Sequence, residues 1–336
     1  MKALLSMQTI QMESSWFRGA ISLERWDKGI QPWRLPYDQF NLFDPGLMQR
    51  AAIPSGVRIA IETDSTRLGL KVQAAAQERQ FDLVLGQDIH SSLTLSAGDE
   101  LLTVELPDGL KQAEIYLPHK VPVTLQALLV DDGAIVSPMA ERQPRWVTYG
   151  SSITQCSAAA SPALTWPAIV ARRMGWDLTS LGFGGQCHLE PMVARLIRDL
   201  PAEFISLCLG INVYNRGSLN LRTFRSAVIG MICIIREKHP NTPLFSLSPI
   251  YSPVRETTDN SAGLCLVKIR EEIREAVAIL TAAGDRNLHY LDGLDILGSQ
   301  HAGYLPDQLH PNAEGYQIMA ENLLQTATFT ALKKEG

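Results

Sequence analysis

Trp146-Val147-Thr148-Tyr149-Gly150-Ser151-Ser152-Ile153-Thr154 joins an apolar run to a turn of small residues. A short run without polar alternation, ended by Gly and Ser, reads as a strand buried on both faces and followed by a helix start. The pattern recurs downstream. Apolar runs at 178–181, 204–209, 243–248 and 288–291 alternate with helix-periodic stretches at 163–174, 189–200, 221–239, 263–283 and 313–332, the last entered through Pro311-Asn312. Strands alternating with amphipathic helices predict a parallel sheet covered on both faces, an α/β three-layer domain.

Upstream the period changes. Between residues 57 and 130 the chain breaks into short runs at 57–61, 69–72, 81–85, 92–95, 101–106, 114–117 and 123–129, separated by turns such as Ala97-Gly98-Asp99 and Pro107-Asp108-Gly109. That spacing predicts antiparallel hairpins in an all-β, jelly-roll-like sandwich. Trp16, Phe17, Trp26, Trp33, Tyr37, Phe40 and Phe43 crowd the first 50 residues. Large aromatics usually supply buried area, so core and interface are the expectation and a ligand surface the alternative. The pre-proline Gln143 within Arg142-Gln143-Pro144-Arg145 marks the boundary, giving an amino-terminal domain over 1–142 and a second over 143–336. At 336 residues, each part is long enough to bury a core.

The composition, 46% hydrophobic and 19% charged, is that of a globular protein, and a net charge of -5 without basic clusters argues against nucleic-acid binding. Neither a secretory leader nor an apolar run of about 18 residues is evident, so a cytoplasmic protein without a membrane span is expected. The five cysteines (Cys156, Cys187, Cys208, Cys233 and Cys265) are odd in number and lie mostly in apolar surroundings, which predicts reduced, buried thiols. No CxxC or HExxH occurs, so no metal is expected. Gly182-Phe183-Gly184-Gly185 lacks the third spaced glycine of a dinucleotide loop and the lysine of a phosphate loop, so no cofactor is expected either.

In an open parallel sheet, reactive groups collect on loops at the carboxyl ends of the strands. Ser152 follows the first strand, Gly184-Gly185 the second and Asn212 the third, while Asp307 and His310 precede the last helix. One face of the sheet thus gathers a hydroxyl, backbone donors, a side-chain amide and an Asp-His pair, the parts of a serine-hydrolase site.

These blocks, in this order over 146–324, resemble the SGNH or GDSL hydrolase family. The resemblance implies a flavodoxin-like fold and acyl-ester chemistry. It matches Ser152 in Gly150-Ser151-Ser152 to the nucleophile, Gly185 and Asn212 to oxyanion donors alongside the Ser152 amide, and Asp307-x-x-His310 to the terminal block. Ser151 stands where the family usually has Asp, and Val213 where an Asp commonly follows the asparagine. Both are supporting positions, and the loss of two acids suggests a site less repulsive to an anionic acyl group.

Each residue has a blander reading. Ser151-Ser152 also fits a helix N-cap, Asn212 a turn cap, and His310 a surface residue before a helix. His188 competes as base, Asp292 and Asp295 as orienter, and Cys156 and Cys187 as thiol nucleophiles. Tyr214, Tyr251 and Tyr304 fall on carboxyl-end loops, as pocket walls or as loop packing. The expected activity is a serine esterase on a small-molecule ester. An acyltransferase using an alcohol acceptor is the alternative, and a carbohydrate-binding protein with a degenerate hydrolase domain the second. The oligomeric state is not legible.

Overall fold

The computed structural model describes residues 6–141, 144–326 and 329; the expected boundary residues Arg142 and Gln143, and helical positions 327, 328 and 330–332, lie outside them. The chain divides into two units, Met1–Arg142 with Ser161–Ala163, and Gln143–Ala160 with Leu164–Gly336.

The first unit holds strands β1 (Met7–Ile10), β2 (Phe17–Arg18), β3 (Ser22–Trp26), β4 (Gly29–Trp33), β5 (Arg58–Thr63), β6 (Arg67–Val72), β7 (Arg79–Leu85), β8 (Asp88–Leu95), β9 (Leu101–Glu105), β10 (Lys111–Tyr116), β11 (Leu125–Asp131) and β12 (Val136–Pro138). They form two antiparallel six-stranded sheets, β3-β4-β11-β6-β9 with β1 on β11, and β12-β5-β10-β7-β8 with β2 on β5. Ile59, Phe81 and Ile115 from one sheet and Leu70, Leu128 and Val130 from the other share one apolar core, so the sandwich expected from the turn spacing is present. An α-helix, α1 (Pro45–Ala51), interrupts it; Asp44 caps it by accepting from the Gly46 amide, and Pro45 supplies the preset φ of its first turn. The aromatics divide: Trp16, Phe17 and Phe43 are buried, whereas Trp26, Tyr37 and Phe40 are exposed.

The second unit runs β13 (Arg145–Gly150), α2 (Ser152–Gln155), α3 (Trp166–Met174), β14 (Asp177–Gly182), α4 (Pro191–Asp199), β15 (Phe204–Cys208), α5 (Ile211–Arg216), α6 (Leu221–Arg236), β16 (Leu244–Leu247), α7 (Leu266–Ala282), β17 (Leu288–Leu291), α8 (Gly293–Ile296) and α9 (Ala313–Gln325). The strands are all parallel, in the order β14-β13-β15-β16-β17. This is the flavodoxin-like order, with its switch point where the chain steps from one side of β13 to the other, the place at which open α/β sheets generally bind ligands. Trp146 of β13 explains the apolar opening stretch: it is buried, packs on Trp166 and Trp176, and donates its Nε1–H to Ser206 Oγ at 3.0 Å. Helix α6 starts where Asn220 and Thr223 form a capping box, and it buries Phe224, Val228, Met231, Ile232 and Ile235 at helical spacing.

Candidate active site

Ser151 and Ser152 divide the helix cap and the histidine-facing hydroxyl between them. Ser151 is the N-cap of α2, its Oγ accepting from the Ile153 amide at 3.2 Å, and this leaves Ser152 as the first residue of the helix. The Ser152 hydroxyl lies 2.8 Å from His310 Nε2. This tight turn rests on two glycines. A Cβ on Gly150 would run into the Thr154 side chain and Cys208, and one on Gly182 into the backbone of Thr154 and Gln155. Both strands therefore pass α2 at a distance no side chain allows.

His310 is held by Asp307 through both carboxylate oxygens. Oδ1 accepts from the Leu309 and His310 amides at 3.0 and 2.7 Å, and Oδ2 takes the ring Nδ1–H at 2.6 Å. A carboxylate on Nδ1 requires the proton there, which leaves Nε2 as the acceptor of the Ser152 hydroxyl. Partial desolvation pushes the Asp307 carboxyl upward, but the hydrogen bonds from the His310 ring and the two amides outweigh it and hold the carboxyl below its ordinary value. Asp307 thus stays ionised throughout the neutral range.

Two residues without a local sequence signal secure this loop. Gln308 has φ of 60°, unusual for a side chain with a Cβ, and its carbonyl accepts from Ser252 Oγ at 2.6 Å and Arg255 Nη1 at 3.3 Å. Ser252 is buried, its amide donates to Glu256, and Glu256 is paired with the buried Arg270. The loop carrying Asp307 and His310 is therefore anchored to the segment after β16.

Asn212 sits in the first turn of α5 and is 3% exposed. Its Oδ1 accepts from the Cys187 amide at 2.9 Å, which fixes the amide's orientation and frees Nδ2; no partner for Nδ2 occurs among the described residues. The turn bearing Gly185 has φ of 73° there, and Gly184 donates its amide to Gln155 Oε1 at 2.9 Å. The amides of Ser152 and Gly185 are likewise without a protein acceptor among the described residues.

The competing residues point elsewhere. His188 spans Ser218 Oγ, 2.8 Å from Nδ1, and the Gly185 carbonyl, 3.2 Å from Nε2, so it braces the glycine turn. Asp292 caps α8 through the Leu294 amide and pairs with Arg274 at 3.0 Å, and Asp295 is exposed on α8. Cys156 turns its Sγ to the Ile153 carbonyl, and burial pushes the thiols of Cys156 and Cys187 well up. Burial likewise takes Cys208 to about 12. The expectation of buried thiols fails at Cys233, which is exposed on α6. Tyr214 donates its OH to the Thr258 carbonyl at 3.0 Å, Tyr251 is half-buried, and Tyr304 lies against His301.

A small apolar cavity of about 40 Å³ lies beside the turn, lined by Ser151, Ile153, Trp166, Leu309 and Met319 among others. It is far below the roughly 300 Å³ at which ligand pockets begin. Among the described residues no three His, Cys, Asp or Glu side chains are arranged to hold a metal ion, and no helix is long and apolar enough to cross a membrane.

Two families match the sequence: the GDSL-like lipase/acylhydrolase family over residues 143–327, and the SsfX3 N-terminal domain over residues 15–121. No curated protein matches. Among solved structures, a salicylyl-acyltransferase, SsfX3, from a tetracycline biosynthetic pathway is 33% identical with a TM-score of 0.90, covering 97% of this chain and 98% of that one. A GDSL-like lipase from Bacteroides ovatus is 20% identical with a TM-score of 0.73, covering 98% of both chains. A family two carbohydrate esterase from Clostridium thermocellum, in complex with cellohexaose, is 16% identical with a TM-score of 0.63, covering 83% of this chain and 94% of that one. The last two show likeness of fold alone.

Proposed function

The chain belongs to the GDSL-like lipase/acylhydrolase family and is an ester-acting enzyme, and we propose that it works through a covalent acyl-enzyme on Ser152, as a serine esterase. One observation carries this reading: the Ser152 hydroxyl is 2.8 Å from an imidazole whose other nitrogen is 2.6 Å from a carboxylate. As Ser152 Oγ attacks an ester carbonyl, His310 Nε2 takes its proton and Asp307 stabilises the imidazolium that forms. The carbonyl oxygen becomes an oxyanion. The amides of Ser152 and Gly185 and the Asn212 Nδ2–H are the donors that meet it. Collapse returns the proton to the leaving alcohol, and a second nucleophile, activated by His310, releases the acyl group.

A second reading, in which that nucleophile is an alcohol, is favoured by the likeness to a salicylyl-acyltransferase along nearly the whole chain. A carbohydrate-binding protein with a degenerate hydrolase domain gains no support from a hydrogen-bonded Ser-His-Asp set. Ser152→Ala should lower hydrolysis of a short p-nitrophenyl ester by roughly 10⁴-fold or more; a surviving rate near wild type removes Ser152 from the mechanism. Titrating candidate alcohols separates the two fates of the acyl-enzyme. Acyl-ester product rising as free acid falls marks a transferase, and a partition insensitive to every alcohol marks an esterase.

A further inference from the structure

Resting on the reading of Ser152 as the acylated residue, we infer that this site selects ester substrates bearing a carboxylate, held by Arg216 and Arg255. The two arginines line an open cleft of about 320 Å³ with Tyr214, Asn215, Asn260 and Ser261. That is the lower end of the volume range of ligand sites.

The cleft is tied to the reacting groups from two sides. Asn212 and Arg216 stand four residues apart on α5, which places them on one helix face about 6 Å apart along its axis. Arg255 donates Nη1 to the Gln308 carbonyl at 3.3 Å and Nε to Asn215 Oδ1 at 3.1 Å. The Arg216 backbone thus lies one helical turn from Asn212, and the Arg255 guanidinium is bonded to the loop that carries His310.

The charge in the cleft is uncompensated. Neither arginine has a carboxylate partner among the described residues, and Arg216 makes no hydrogen bond among them. The neighbouring acids are committed elsewhere, Glu256 to Arg270 at 2.7 Å and Asp259 to Lys268 at 2.7 Å. Arg216 alone would be accounted for by the negative end of α5. That account leaves out Arg255, whose Nη2 has no partner among the described residues. Planar guanidinium forks suit carboxylate oxygens, which accept two parallel hydrogen bonds.

The test compares kcat/KM for matched esters in two arms. In one the charge is on the acyl side, mono-p-nitrophenyl succinate against p-nitrophenyl butyrate; in the other it is on the alcohol side, 4-acetoxybenzoate against phenyl acetate. The expected result is a preference for the anionic ester in one arm, which identifies the side the cleft serves. Arg216→Ala should reduce that preference about fivefold, as for loss of a partly exposed charge contact. Arg216→Glu should reverse it, and added salt should weaken it in the wild type. Equal turnover of charged and neutral esters in both arms, or a preference untouched by both substitutions, overturns the inference. Ser152→Ala on the neutral esters separates the two claims. A rate that survives sinks the acyl-enzyme reading and this inference with it, whereas a Ser152-dependent enzyme blind to substrate charge sinks the inference alone.

Discussion

Asn212→Ala should cost the enzyme about 100- to 1,000-fold in kcat with little change in KM, the loss of one oxyanion donor, worth roughly 3 to 4 kcal/mol. The same substitution has a structural cost that must be kept apart. Asn212 Oδ1 accepts from the buried Cys187 amide, and an amide left without an acceptor destabilises by about 1–3 kcal/mol. A domain stable by about 5–15 kcal/mol would still be almost wholly folded after that loss, so unfolding cannot produce a 100-fold fall in rate. The assay is steady-state hydrolysis well below the melting temperature, with reactive serines counted by a fluorophosphonate so that kcat refers to competent enzyme. Asn212→Asp retains an acceptor for Cys187 while removing the donor, and it should be at least as slow as the alanine variant. A rate within tenfold of wild type in a folded Asn212→Ala protein would refute the assignment of Nδ2 to the oxyanion.

Gly150→Ala should lower kcat and destabilise the second unit by about 1–3 kcal/mol, because its Cβ meets Thr154 and Cys208 beneath the turn that carries Ser152; a wild-type rate and melting temperature would show that the turn yields without cost. Asp131 accepts from Ser65, Thr66 and Arg67 in the first unit; partial burial works upward, yet these bonds hold its carboxyl far below the ordinary value. Since its folded pKa is depressed, its contribution is present above the unfolded value near 3.9 and is lost as pH falls through the folded one. Asp131→Asn should therefore destabilise that unit at pH 7 and lose its deficit on acidification; a deficit independent of pH contradicts the linkage. Iodoacetamide at mild alkaline pH should modify Cys233 alone in the native protein, with esterase activity retained; activity lost in step with labelling of Cys156 or Cys187 would put a thiol in the mechanism.

The second unit was legible because most residues of β13, β15 and β16 are buried, so these strands appear as largely apolar runs, Trp146 to Tyr149 first among them. The candidate site was legible because its proposed residues follow strand ends, which share a face whatever their separation in sequence. Helices α2, α5 and α8, of four to six residues, are too short for a 3.6-residue period to register. Strands β1 to β4 escaped for another reason. Pro32 lies inside β4, where a missing amide argues against a strand, and β2 has two residues. Ser252 and Arg255 were out of reach, because their roles depend on contacts with Gln308 more than 50 residues away. Nothing in Ser-Pro-Val-Arg distinguishes that segment from any other loop start.

Peptide mapping after reaction with a fluorophosphonate tests the acyl-enzyme most directly. The account predicts one adduct per chain, on Ser152, formed at a rate that collapses in His310→Ala and falls in Asp307→Asn. A stoichiometric adduct on any other residue, or Ser152 labelling at undiminished rate without His310, would contradict it.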